Sequence, residues 1–143
     1  MVYWKALVAT SLLTASMGAA AVAESVTLKF HSFPPMPANS NAKFVKPWAD
    51  KVAAESNGEI KVEMYASMQL GGKPPQRAAQ VREGVVDISW TVAGYTPGRF
   101  PHLEAFELPF MPASAEATSQ AAHEYMMPVG AADVQDYKVL AVH

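Results

Sequence analysis

Between residues 26 and 143 strand-length runs alternate with helix-length ones, and Gly- and Pro-containing segments separate them. Few folds accept that order. Strands joined through helices pair in parallel, so the chain is expected to be α/β, with a mostly parallel sheet flanked by helices. Val26-Thr-Leu-Lys-Phe-His31 is the first strand. The stretch Ser32-Phe-Pro-Pro-Met-Pro-Ala38 cannot prolong it, because proline has no ladder donor. Phe44, Val45, Trp48, Ala49 and Val52 then recur at three- and four-residue spacing, which predicts one face of a helix. Asn39 or Ser40 is its N-cap, Asn57-Gly58 closes it, and Pro47 inside it predicts a bend.

Glu59-Ile-Lys-Val-Glu-Met-Tyr65 alternates polar and apolar residues, which predicts a second strand at a sheet edge with one wetted face. A short helix follows, with Pro74 or Pro75 in its first turn and Gly84 after its last. Its Arg77 and Arg82 are expected on the polar side. Val85-Val-Asp-Ile-Ser-Trp-Thr-Val92 is more continuously apolar and reads as a third strand covered on both faces. Loop occupies Gly94 to Pro101, and a helical turn runs around Leu103 to Phe106. A helix capped by Ser114 extends to about Met127, where Pro128 stops it, and Tyr137-Lys-Val-Leu-Ala-Val-His143 is read as a fourth strand.

The first residues locate the protein. Lys5 gives a positive start, Ala6 to Leu13 an apolar centre, and Ala21-Val-Ala23 an A-x-A site, the three-part order of a secretory leader cleaved after Ala23. A membrane anchor is disfavoured because Thr10, Ser11, Thr14 and Ser16 dilute the run. Residues 1–23 are therefore expected to be removed and residues 24–143 to form a single α/β lobe in the periplasm. The chain has no cysteine, which excludes a disulfide framework, a thiol nucleophile and Cys-based zinc sites. Its net charge of -2 disfavours nucleic acid as a partner.

Catalytic and metal-binding templates fail one by one. Gly72-Lys73 lacks the first glycine and the Ser/Thr of a phosphate loop, Pro74 standing in the last place. His102-Leu-Glu104 lacks the cysteine pair of a zinc deaminase, and His123-Glu124 has Met127 where a zinc protease needs its second histidine. Glu104 and Glu107 could share a helical turn, but nothing nearby would separate their pKa values. No catalytic residue, metal or cofactor is expected.

Open α/β sheets place ligands at the carboxyl ends of their strands. The loops there bring His31 and Phe33 after the first strand, Gln69 after the second, and Trp90, Thr91 and Tyr95 after the third. Aromatic bodies with a few polar tips suit a small-molecule cleft, and these six residues are the candidate ligand contacts. Phe33 and Trp90 could equally pack the strand ends, while Tyr95 lies in a Gly- and Pro-rich loop.

Several strings occur in order: Leu28-Lys-Phe-His-Ser-Phe-Pro-Pro, Phe44-Val-Lys-Pro-Trp-Ala-Asp-Lys-Val52, Ser67-Met-Gln-Leu-Gly-Gly72, Gly84-Val-Val-Asp-Ile88, Gly94-Tyr-Thr-Pro-Gly-Arg-Phe-Pro101 and Glu107-Leu-Pro-Phe110. Together they resemble the DctP-type solute-binding proteins of TRAP (tripartite ATP-independent periplasmic) transporters. The resemblance implies the first lobe of a two-lobed periplasmic binding protein, type II-like, that closes on a small organic acid, a carboxylate or sulfonate. It implies delivery to integral membrane permease subunits driven by a sodium gradient, with the receptor a monomer. Other readings remain: the binding subunit of an ABC importer or sensor, a non-functional fragment, or an exported enzyme.

Members of that family are about twice this length, and the arginine that meets the ligand carboxylate lies in their second lobe. On that basis the second lobe is expected to be absent and the first to stop after about its fourth strand. A strand returning between the third and fourth would then be missing, leaving residues 24–143 marginally stable and weak in binding. Arg99, in the loop after Tyr95, is the remaining candidate carboxylate partner.

Overall fold

The structure, a computed structural model, describes residues 25–126 and 128–143. The leader and its cleavage after Ala23 lie outside the described residues, as does Met127. Strand β1 (Val26–His31) pairs in parallel with β2 (Ile60–Tyr65) along its whole length, Val26 opposite Ile60 and His31 opposite Tyr65. On its other side β1 pairs in parallel with β3 (Ile88–Ser89), giving the order β2-β1-β3. The parallel sheet flanked by helices is as expected, and β2 lies at an edge of it.

The chain leaves β1 toward β2 on one side and then crosses to β3 on the other. Such a reversal about a central strand opens a crevice at the carboxyl ends of the two strands, here β1 and β3.

Helix α1 (Lys46–Glu55) is entered through a π-helical turn at Ser40–Val45. Pro47 has no N–H, so the change from π to α hydrogen-bond register costs no bond at that residue. The irregularity expected at Pro47 thus lies just before it. Neither Asn39 nor Ser40 caps the helix with its side chain, contrary to expectation. Asn41 is used instead: it is buried, and its Nδ2 donates to the carbonyls of Pro34 (2.9 Å) and Pro35 (3.1 Å), which ties the proline-rich loop to the start of the helix. Asn57 and Gly58 close the helix with φ of 52° and 81°, as the sequence predicts.

Gln76 Oε1 accepts the Lys73 N–H at 2.7 Å and starts a 3-10 turn (Pro74–Gln76) that runs into α2 (Arg77–Arg82). Arg82 is on the solvent side, as expected, but Arg77 is completely buried. α2 is short and packs beside β3, and its Arg77 and Gln80 side chains reach His31 at the end of β1, so its first residue is covered rather than in water.

The third strand is much shorter than the eight-residue run predicted, and it is not covered on both faces, since Val85 is half exposed. The cause is Asp87. Its carboxylate takes the Lys29 N–H at 2.8 Å, a donor that a longer ladder would have used. The Asp87 N–H still reaches the Lys29 carbonyl (3.2 Å), but the paired strand is only Ile88–Ser89. Beyond it, α3 (Pro101–Glu104) continues into a 3-10 turn (Ala105–Glu107), and α4 (Ala115–Met126) begins where Ser114 Oγ accepts the Ala117 N–H. A further 3-10 turn spans Gly130–Val134.

The fourth strand is not formed. Residues 138–143 pair with no other described segment, and an apolar run becomes a strand only where a neighbour supplies ladder partners. Tyr137 packs instead into a small core with Ala78, Ala93 and Phe100.

Candidate functional site

Phe33 follows β1 and Trp90 follows β3, so both stand at the crevice where the strand order reverses. Their rings stack with centroids 5.0 Å apart and planes 8° from parallel. Tyr95 meets the Phe33 ring edge-on at 5.5 Å. Three of the six candidate residues are therefore one aromatic group, partly exposed, with Tyr95 the most open.

His143 joins them, and the sequence reading had not singled it out for this role. Its ring lies 5.5 Å from that of Trp90, and its Nε2 accepts the indole N–H at 2.8 Å. No local pattern connects residues 53 positions apart, so pairing of the final segment with the β3 end was not visible in the sequence.

His31 belongs to the layer beneath rather than to the aromatic surface. It is fully buried, and its Nδ1 donates to Gln80 Oε1 at 3.0 Å, which fixes the tautomer and leaves Nε2 as an acceptor with no partner among the described residues. Burial holds the imidazole below its ordinary pKa; the Gln80 bond opposes that shift and the Arg77 charge adds to it. Gln69 is exposed in the turn after β2, and Thr91 is half-buried beside Trp90. Neither side chain makes a hydrogen bond among the described residues, so the structure brings neither into the aromatic group.

Arg77, expected on the polar side of its helix, is instead a buried part of this layer. Its Nη1 donates to the His31 carbonyl at 2.9 Å, its Nη2 reaches the Met68 sulfur at 3.2 Å, and its guanidinium carbon lies 5.7 Å over the Phe33 ring. Among the described residues no carboxylate pairs with it, and burial lowers its pKa. One signal was available: Gln80 lies one helical turn beyond Arg77, and a shared face puts both at the end of β1.

Arg99, the other candidate for a carboxylate, is already neutralised. It bonds Asp136 at 3.1 Å and the Tyr137 hydroxyl at 3.2 Å. Concavities of about 120 and 290 Å³ flank it, but the charge they share is this already paired Arg99. Glu104 and Glu107 are not an acid/base pair. Glu107 accepts the Gly94 N–H with both oxygens, and Glu104 accepts those of Gly98 and Phe100, so the two carboxylates clamp the loop that carries Tyr95.

A stacked aromatic wall with a cation behind it can hold a flat, apolar anion. Among the described residues no cluster of three or more His, Asp or Glu could hold a metal, and no helix is long and apolar enough to cross a membrane.

Comparison with known proteins adds the following. The family model for DctP, bacterial extracellular solute-binding protein, family 7, matches residues 35–142. A TRAP solute binding protein from a marine metagenome, specific for aromatic acid ligands and crystallised with 3-hydroxybenzoate, is 80% identical with a TM-score of 0.79, over 82% of this chain and 37% of that one. A TRAP solute binding protein from Rhodoferax ferrireducens, with copurified benzoate, is 52% identical with a TM-score of 0.77, over 82% and 36%. The outer membrane transporter protein TsaT of Comamonas testosteroni is 33% identical over 113 residues, 78% of this chain and 32% of TsaT. The chain thus spans about a third of the length of the relatives it matches.

Proposed function

The chain belongs to the DctP family of bacterial extracellular solute-binding proteins, and from that premise we propose that it forms the first lobe of a TRAP solute receptor whose solute is an aromatic carboxylate. The Phe33–Trp90–Tyr95 group at the reversal point of the sheet carries this reading. Stacked rings offer a flat face on which a second aromatic ring gains contact area and quadrupole complementarity, while an aliphatic acid gains little. The two solved relatives at 80% and 52% identity were crystallised with 3-hydroxybenzoate and benzoate, which supports the same solute class here.

His31, Phe33, Trp90 and Tyr95 are proposed as this lobe's share of the site, with Gln69 and Thr91 at its margin. In the full scheme, residues 1–23 are a leader cleaved after Ala23 and residues 24–143 form the first lobe in the periplasm. A second lobe, outside residues 24–143, closes over the aromatic wall, as the greater length of the relatives supports. The monomeric receptor then hands its solute to integral membrane permease subunits. Binding, not catalysis, is its role.

Calorimetric titration of the protein expressed from its complete reading frame, with benzoate, 3-hydroxybenzoate and succinate, tests the reading. The aromatic acids should bind at least about tenfold more tightly than succinate, and Trp90→Ala should weaken benzoate by about tenfold, the equivalent of one lost aromatic contact. Equal affinity for benzoate and succinate would remove the aromatic solute from the proposal.

A further inference from the structure

The polar layer under the aromatic wall holds a cation whose best hydrogen-bonding edge is spent on a weak acceptor. A guanidinium grips a carboxylate most strongly along one side, where Nε–H and one Nη–H point the same way. In Arg77 the far corner, Nη1, is bonded to the His31 carbonyl. Among the described residues the Nε–Nη2 side meets no oxygen: Nε is buried without a partner, and Nη2 has only the thioether of Met68. A buried positive charge without a counter-ion is costly, and a thioether and an aromatic face compensate it far less than a carboxylate would.

The residue that covers this edge sits on strained backbone. Ser67 and Met68 are consecutive non-glycine residues with φ of 50° and 59°, a left-handed pair that L side chains rarely adopt. The turn is held in that shape by hydrogen bonds from Ser67 N–H to the Pro34 carbonyl (3.1 Å) and from Met68 N–H to the Ser32 carbonyl (3.2 Å). A flexible, half-buried thioether on a turn latched to the loop after β1 is a cover that a ligand can displace.

We propose that the Nε–Nη2 edge of Arg77 is the anion subsite of this lobe: the solute carboxylate displaces the Met68 thioether and takes both N–H groups while its ring lies against Phe33 and Trp90. The Arg77 guanidinium already lies over the Phe33 ring, so ring and carboxylate can be engaged together by one short aromatic acid. Ser32 Oγ, buried and without a partner one residue beyond the carbonyl that anchors Arg77, is a further donor. A carboxylate has lone pairs enough to accept from a second guanidinium in the opposite lobe as well. This subsite rests on the aromatic-carboxylate reading above.

Benzoate and its neutral isostere benzamide, titrated into the protein from its complete reading frame, separate the two. The wild type should prefer benzoate, and Arg77→Met should weaken benzoate by roughly tenfold or more, the loss expected for a charge-assisted bidentate pair, with benzamide little changed. Benzoate and benzamide bound equally by the wild type would sink the subsite while leaving the aromatic reading intact; no binding of either would end both. Unchanged benzoate affinity in a folded Arg77→Met protein also overturns the proposal. Should that variant not fold, Met68→Ala decides: with the cover gone, benzoate should bind several-fold more tightly and benzamide as before, and a parallel change for both ligands counts against it.

Discussion

The two ends of this lobe are held together by different kinds of bond. From Val26 to Tyr65 the structure is backbone on backbone: β1 and β2 pair over six residues and α1 packs behind them. From Ile88 onward the ladder lasts two residues, and side chains tie the later segments to one another. Glu107 holds Gly94, Glu104 holds Gly98 and Phe100, Asp133 holds His102, and Arg99 holds Asp136 and Tyr137. The aromatic wall bridges them, Phe33 from the first region against Trp90 and Tyr95 from the second. In the proposed solute site, a wall with one rigid side and one adjustable side can close without unfolding its base.

The largest expected effect tests whether the first region is that base. Phe30 is buried in the central strand, opposite Met64 on one side and Ile88 on the other. Phe30→Ala should cost about 3–5 kcal/mol, the usual range for emptying such a site, and urea unfolding of the protein measures it. A loss below about 1 kcal/mol, the scale of a surface substitution, would mean that stability does not reside in the sheet.

Removing the clamps should do less, and do it locally. Glu104→Ala and Glu107→Ala each delete a carboxylate that accepts backbone N–H groups at the partly solvated surface, so each should cost about 1 kcal/mol. Hydrogen exchange is the sharper measurement. Amides of Gly94 and Gly98 should lose protection while those of β1 and β2 keep theirs, and equal losses in both regions would erase the distinction between them. Gly94→Ala should mimic Glu107→Ala, because a Cβ at Gly94 runs into the Glu107 carboxylate.

The same contrast explains what the sequence disclosed. Period-two and period-3.6 patterns located β2 and α1 because regular backbone bonding leaves a regular trace in side-chain polarity, and the Ser114 cap marked the start of α4. Gly58 and Gly84 marked helix ends because only their left-handed backbones fit there. The run from Val85 to Val92 has an apolar trace too, yet Asp87 within it redirects the Lys29 amide, and no periodicity encodes that choice. Residues 137–143 failed for the related reason that a strand needs a partner, which composition does not supply. At the site, Phe33, Trp90 and Tyr95 were legible as aromatics in strand-end loops. Arg77 was not: its burial depends on where α2 meets β1, a tertiary fact that overrode the charge of the side chain.

Acid provides the finest separation of the two regions, because each contains a titrating group with a lowered pKa but in a different window. His31, in the first region, is held neutral by burial and by the Arg77 charge against the pull of the Gln80 bond. The unfolded chain binds a proton near 6.5 and the folded one resists it, so the stability His31 contributes is complete above that value and is lost as pH falls below it. Asp133 lies in the second region. Its burial would raise its pKa, but the hydrogen bonds and charge of His102 win and hold it below 3.8. Its contribution is present above 3.8 and disappears only as pH falls through the lower, folded value. Melting temperature followed from pH 7 toward pH 5, a span set by the ordinary histidine range of about 6.5, should therefore fall through His31 and not through Asp133. His31→Asn keeps a donor for Gln80 Oε1 and cannot titrate. The difference between wild type and variant is read, since His102, His123 and His143 are common to both. That difference should shrink steadily below pH 6.5, by the amount the buried imidazole resists its proton. A constant difference would mean that His31 already takes up its proton in the folded state, and the base of the aromatic wall would then be wetter and looser than its buried side chains indicate.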